Sequence, residues 1–274
     1  MSDRPVRAGD IDQPPLFFVH IMRTAGTTFR MHLREQYGSS AVYPDFDRDL
    51  DPEQSVASTQ NPQGHAPRMQ AVLDTYISVK QLRSLPAART REVRAYAGHF
   101  PYVASQLLGF PVTTVTLLRE PVARTISYLR ATKQRRARLA DHTLEQIYDD
   151  GWIFPMYVHN HQAKVLSMEP GDRLESVLDV IDVDDRRLAV AMDNLDAIDV
   201  VGVMDQFDEF VAEVAARRGW FPTTVPRHNT SEGNPEVSDA LRERILEDNA
   251  ADVAVYERAR ALAQVRGEHS RGRA

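Results

Sequence analysis

Apolar positions in this chain fall into short unbroken runs separated by longer stretches with helical spacing. LFFVHI, Leu16 to Ile21, has the length and apolar character of a strand covered on both faces, where period-two alternation is lost. A small polar turn, RTAG, follows, and Phe29, Leu33 and Tyr37 then recur at spacing four, predicting a helix over 27–37. VRAYAGHF (93–100), TTVTLL (113–118) and DVVGVM (199–204) read as further strands. Pro121 suits the first turn of a helix running toward Arg138. Helices are also predicted over 69–82, 143–149, 155–168, 186–196, 205–218 and 236–262. Residues 38–67, rich in Asp, Pro, Gln, Asn and Gly, read as a long loop, either a lid or substrate wall or a variable surface insertion. Short strands alternating with longer helices predict an α/β fold with a mainly parallel central sheet flanked by helices.

Composition narrows the classes. The 274 residues suit one domain over 16–262, with a charged, proline-containing lead-in at 1–15 and a polar tail at 263–274. There is no cysteine, which excludes disulfides, thiolate metal sites and cysteine nucleophiles and suits a reducing cytoplasm. The lead-in does not read as a signal peptide, and no apolar run is long enough to cross a bilayer, so the expectation is a soluble, cytoplasmic protein without an integral membrane segment. A net charge of −6, from 33 basic and 39 acidic residues, argues against a nucleic-acid partner. The charge is uneven. RATKQRRAR, Arg130 to Arg138, carries five basic residues and no acid, whereas 172–209 is strongly acidic. The basic run is either a contact for an anionic ligand or the solvated end of a helix.

Ligands of parallel sheets bind beyond the C-terminal strand ends, and a turn opening a helix offers unpaired N–H groups there. In the first turn Ala25 and Gly26 allow close backbone approach, Thr24, Thr27 and Thr28 supply hydroxyls, and Arg23 a fixed positive charge. These are parts of a phosphate cradle, although the ATP-type G-x-x-x-x-G-K-[ST] pattern is absent. A second site is TLLREPVARTISYLR. Arg119 follows its strand, and Ser127, eight residues later, lies about two turns into the next helix.

Together the two stretches resemble the PAPS-dependent sulfotransferases, and most closely the heparan sulfate 2-O- and 6-O-sulfotransferase branch. HIMRTAGTT is similar to H-I-P-K-T-G-G-T-S, departing at Met22, Arg23, Ala25 and Thr28; LREPVARTISY is similar to L-R-[ED]-P-x-x-R-x-x-S-x-Y. AGHFPY, NHQAKVLS, VGVMDQFDEFV (with Asp205 for Glu), RHNTSEG and DNAADVAVYERA resemble later family segments in the same order. The resemblance implies a P-loop-like three-layer sandwich and PAPS as sulfuryl donor, with PAP as product and no metal required. It implies that Arg23, Thr24, Ala25, Gly26, Thr27 and Thr28 hold the 5′-phosphosulfate, Arg23 stabilising the leaving group. Arg119 and Ser127 would hold the 3′-phosphate, Arg227 would close over the nucleotide, and His99 would be the general base. The acceptor would be a hydroxyl of a carbohydrate, glycolipid or small hydroxylated metabolite, and a homodimer is the prior expectation.

Other readings of the same residues stay in view. His65 is the alternative base; His20 reads as a packed, hydrogen-bonding residue; His159 and His161 lack metal-ligand spacing. Asn160 and Gln162 are expected to order the site through their amides, and Trp152 and Trp220 are core or substrate platform. A nucleotide-dependent small-molecule kinase, or a non-catalytic nucleotide-binding protein, is the alternative function.

Overall fold

The computed structural model describes residues 13–45, 48–49, 76–221, 225 and 237–271, with side chains from 266 onward left undescribed. Five strands, β1 (Leu16–Val19), β2 (Val42–Tyr43), β3 (Ala95–Tyr96), β4 (Thr113–Leu118) and β5 (Val200–Val203), form one sheet in the order β2-β3-β1-β4-β5. All pairings are parallel, with Leu16 opposite Ala95 on one side and Thr113 on the other. The fold is therefore α/β, with a small parallel sheet flanked by helices.

The helices are α1 (Gly26–Tyr37), α2 (Val79–Arg83), α3 (Ala87–Glu92), α4 (Tyr102–Gln106), α5 (Pro121–Arg135), α6 (Leu144–Tyr148), α7 (His161–Ser167), α8 (Asp185–Ala197), α9 (Phe207–Arg218), α10 (Asp239–Asp248) and α11 (Ala250–Arg271). Successive β1 side chains point to opposite faces. Leu16 and Phe18 pack with Phe29 and Leu33 of α1 and Phe210 of α9. Phe17 and Val19 join the core that includes Leu166 of α7, Ala191 of α8 and Val255 of α11. All four β1 residues are fully buried, which is why the run has no polar alternation. A third apolar cluster joins Ile126 and Leu129 of α5 to Ile147 of α6 and Ile245 of α10.

Several boundaries differ from the sequence expectation. The predicted 38–67 loop contains the edge strand β2, whose Val42 and Tyr43 are buried and paired to β3; two residues are too short a run for periodicity to register. Asp49 is then gripped by Arg89 at 2.6 and 2.8 Å, and Arg89 also donates to the Ser40 carbonyl at 2.7 Å, fastening the start of that segment to α3. Only Ala95–Tyr96 of the 93–100 run is strand. The predicted 155–168 helix splits at Asn160, whose φ of 44° ends a π-helical turn over Phe154–Val158 before α7 begins. The predicted 236–262 helix breaks at Asn249 into α10 and α11, and α11 runs on to Arg271 through the segment read as tail. Pro14 and Pro15, in the predicted lead-in, accept hydrogen bonds from Arg218 and from the Thr113 N–H. Among the described residues, no helix is long and apolar enough to cross a membrane.

Candidate functional site

The strand order locates the crevice. After β3 the chain crosses β1 to place β4 on its far side, so the chain ends leaving β1, β3 and β4 diverge around one point. Such a switch point is where parallel sheets bind ligands.

The turn after β1 is held under backbone strain. Arg23 and Ala25 both take positive φ, 71° and 64°, a region that costs a non-glycine residue roughly 1–2 kcal/mol. Thr24 between them is fully buried and donates its hydroxyl to the Ile21 carbonyl at 2.9 Å. Its hydroxyl, expected to face a ligand, instead fixes the turn. Gly26 is required by packing. A Cβ there would lie 1.9–2.7 Å from three ring atoms of His20. The N-terminus of α1 has no side-chain cap and no acid in its first turn, so its positive end is not neutralised locally. Thr27 is exposed at this end and Thr28 is buried.

The end of β4 is built differently. Glu120 caps α5, accepting the N–H groups of Val122 and Ala123 at 2.9 and 2.7 Å, so the α5 amides are already satisfied by a carboxylate. The positive charge at this strand end therefore comes from side chains rather than from free amides. The Gln162 amide accepts the Arg119 N–H at 3.0 Å and donates to the Arg119 carbonyl at 2.8 Å, clamping that peptide as a neighbouring strand would. The Arg119 guanidinium donates to the Arg23 carbonyl at 3.2 Å. Arg23 in turn donates Nε and Nη2 to Ser127 Oγ at 3.1 and 2.9 Å. Arg23, Arg119 and Ser127, 104 residues apart at the extreme, thus meet. Burial lowers the Arg23 pKa, and the next contributors are all cations: Arg135, Arg119 and Arg124. Burial also lowers that of Arg119, which Asp205 and Glu120 partly offset.

His99 lies across the turn. Its Nδ1 is 2.8 Å from the His20 carbonyl oxygen, an acceptor only, so Nδ1 carries the proton and Nε2 keeps the free lone pair of the neutral ring. Its backbone N–H donates to the Tyr76 carbonyl at 2.7 Å, and Gly98 is held by the Phe100 ring and that same carbonyl, both within 2.7 Å of where a Cβ would stand. Burial pushes the His99 pKa down to about 4, Arg30 acting in the same direction and the His20 carbonyl opposing. Sequence reasoning expects titration near neutrality; packing removes the water that would stabilise the imidazolium. His20 lies between the His99 ring and Gly26 of the turn. Its ring lies 4.0 Å from that of His99 and 4.9 Å, stacked, from that of Phe18.

Arg124 and Lys164 lie behind the site, and sequence reasoning did not single out either. Arg124 is fully buried, donates to the Tyr157 and Val158 carbonyls at 2.8 and 3.2 Å, and sits 4.0 Å from Asp252. Lys164, also fully buried, donates to the Met156 carbonyl at 2.8 Å, and burial with Arg124 lowers its pKa to about 7. The only sequence signal was their place in LREPVAR and NHQAK. Part of the basic run is structural: Arg136 stacks over Trp152 at 5.1 Å and Arg138 pairs with Asp150 at 3.5 Å. Trp220 is partly buried against the core that includes Phe29 and Phe210 and donates to the Tyr37 hydroxyl at 3.0 Å, while Trp152 packs against Tyr157 with ring centroids 5.2 Å apart. Arg227 and His65 lie outside the described residues. Among the described residues no group of three or more His, Asp or Glu is arranged to hold a metal ion.

The arrangement can bind an anion at two neighbouring points, the open α1 N-terminus and the Arg23–Arg119–Ser127 cluster, with a neutral imidazole beside them. In comparisons with known proteins, no family model and no curated sequence matches the chain.

Proposed function

We propose that this chain is a sulfotransferase that moves the sulfuryl group of PAPS to a hydroxyl of a carbohydrate, glycolipid or small hydroxylated metabolite. The observation that carries this reading is the convergence of Arg119, Ser127 and Arg23 beside an uncapped helix N-terminus: two anion sites at one strand edge suit a nucleotide with phosphates at both 3′ and 5′ positions. On this reading the fold is P-loop-like, with the phosphate turn following the central strand β1 and opening α1. Contacts between distant motif segments add support. Gln162 holds Arg119, Asn160 and Asn249 exchange hydrogen bonds with the helix starts opposite, and Asp252 faces Arg124.

The acceptor oxygen attacks sulfur in line as the bond from sulfur to the 5′-phosphate oxygen breaks, releasing PAP. The acceptor proton passes to His99 Nε2, which the Nδ1 contact leaves unprotonated. The amides of 26–28 and the α1 dipole hold the 5′-phosphate while charge grows on its leaving oxygen. A bound anionic donor raises the His99 pKa from about 4, bringing a weak base toward the range where proton transfer is efficient.

Calorimetric titration with PAP, with ADP plus magnesium as the competitor, tests the donor assignment. Micromolar PAP binding is expected. In an acceptor screen with labelled PAPS, His99→Ala should bind PAP as the parent does and lose roughly 100-fold or more in transfer. No PAP binding, or preference for ADP with magnesium, would sink the sulfotransferase and favour a kinase.

A further inference from the structure

The location of the Arg23 side chain assigns it a more specific task. We propose that Arg23 reads the 3′-phosphate of the donor together with Arg119 and Ser127, and that the 5′-phosphate is left to the backbone of the turn. This rests on the donor reading above.

Three observations carry it. First, both Nε and Nη2 of Arg23 point at Ser127 Oγ, a full helical segment beyond the turn that bears Arg23. A guanidinium reaches that far and presents a rigid fork; an ammonium has neither the reach nor the fork. Second, Arg23 takes a positive φ of 71°, and this one strained residue meets both partners, its carbonyl accepting from Arg119 and its side chain donating to Ser127. Third, donors in this cluster are in excess. Among the described residues Arg23 Nη1, Arg119 Nε and Nη2 and the Ser127 hydroxyl proton have no partner, and the charges that bear on Arg23 are Arg135, Arg119 and Arg124. A dianionic phosphate placed between the two guanidinia would accept from all of them, a stronger contact than the neutral hydroxyl Arg23 meets at Ser127. Arg23 then leaves the reacting end without a side-chain cation from the turn, so transfer should be slow and PAP should be held tightly.

The test compares ligands that differ by one phosphate. The affinities of adenosine 3′,5′-bisphosphate (PAP), adenosine 5′-monophosphate and adenosine 3′-monophosphate are measured by calorimetry for the parent, Arg23→Ala and Arg23→Lys, each checked for an unchanged thermal melt. The ratio of 5′-monophosphate to bisphosphate dissociation constants reports the gain from the 3′-phosphate; a parent gain of 100-fold or more is expected. Arg23→Ala should cut that gain at least tenfold while changing 5′-monophosphate binding less than threefold, and Arg23→Lys should fall between, because it keeps charge and loses the fork. Should 5′-monophosphate binding weaken as much as bisphosphate binding, with the gain intact, Arg23 serves the 5′ side and the inference falls while the donor reading stands. Were the parent to show no gain from the 3′-phosphate, both would fall. If either variant melts early, the remaining one decides by the same ratio.

Discussion

At the scale of single residues, the turn after β1 is defined by what it lacks space for. Helix propensity alone makes alanine better than glycine by about 1 kcal/mol in a helix interior, so Gly26→Ala at the start of α1 would be expected to stabilise. The His20 ring reverses the sign, because a methyl group at Gly26 would overlap three imidazole atoms. Overpacking of this kind costs roughly 1–3 kcal/mol. Urea unfolding should therefore find Gly26→Ala destabilised by at least about 1 kcal/mol, and His20→Ala in the same chain should recover part of the loss; additive effects would deny the contact. Sequence reasoning saw small residues here and inferred backbone approach by a ligand. The glycine is also backed by the His20 ring from its own strand end, a contact that needs three-dimensional coordinates because both residues sit in one short stretch with no periodicity to relate their directions.

At the scale of elements, the site depends on helices that cap one another. Asn249 Oδ1 accepts the Asn160 N–H at 2.7 Å, Asn160 Oδ1 accepts the Asp252 N–H at 3.2 Å, and Asp252 Oδ1 accepts the Ala163 N–H at 2.8 Å. The starts of α7 and α11 thereby satisfy each other's orphan amides in a place too buried for water. Asn249 also ends α10 through its own amide on the Ile245 carbonyl at 2.8 Å. Removing a buried cap costs about 1–2 kcal/mol, and an orphaned N–H adds to that. Asn249→Ala should accordingly lower stability by about 2 kcal/mol or more and, through α7, loosen the Gln162 clamp on Arg119. PAP affinity that fell with stability in Asn249→Ala yet stayed intact in an exposed control, Leu246→Ala, would tie the clamp to the site; unchanged affinity would separate them. Element type was readable from the sequence for β1, β4, β5, α1, α5, α8 and α9, where long periodic or apolar runs dominate. The breaks at Asn160 and Asn249 were not, since each is imposed by the opposite helix.

At the scale of the whole molecule, the interior holds several ionisable groups in their neutral forms. Burial lowers the pKa values of His20, His99 and His161, so between pH 6.5 and about 4 the unfolded chain binds more protons than the folded one. Stability from these groups is present above pH 6.5 and is lost as pH falls through that window, by about 3 kcal/mol for His99 alone. Asp252, raised by burial, acts in the opposite sense, its contribution falling as pH rises above the ordinary carboxylate value. Lys164, lowered to about 7 against an ordinary 10.5, makes stability rise from pH 7 toward 10. Thermal melts should thus show a steep fall from pH 7 to 5 and a gentler rise from 7 to 9, with Lys164→Met flattening the second limb; a parent profile flat on both sides would contradict the buried-neutral interior. Sequence by itself determined the α/β class and the parallel sheet, because apolar runs of strand length alternating with amphipathic helices admit few other layers. It also marked the two turns where an anion could be held, because small residues, hydroxyls and arginines at strand ends are local features. Only the tertiary structure decided that Arg23 reaches Ser127, that His99 is a neutral imidazole with its tautomer fixed by the His20 carbonyl, and that Arg124 and Lys164 are buried. These properties arise from proximity across up to 104 residues and from the exclusion of water, and neither is written in local spacing.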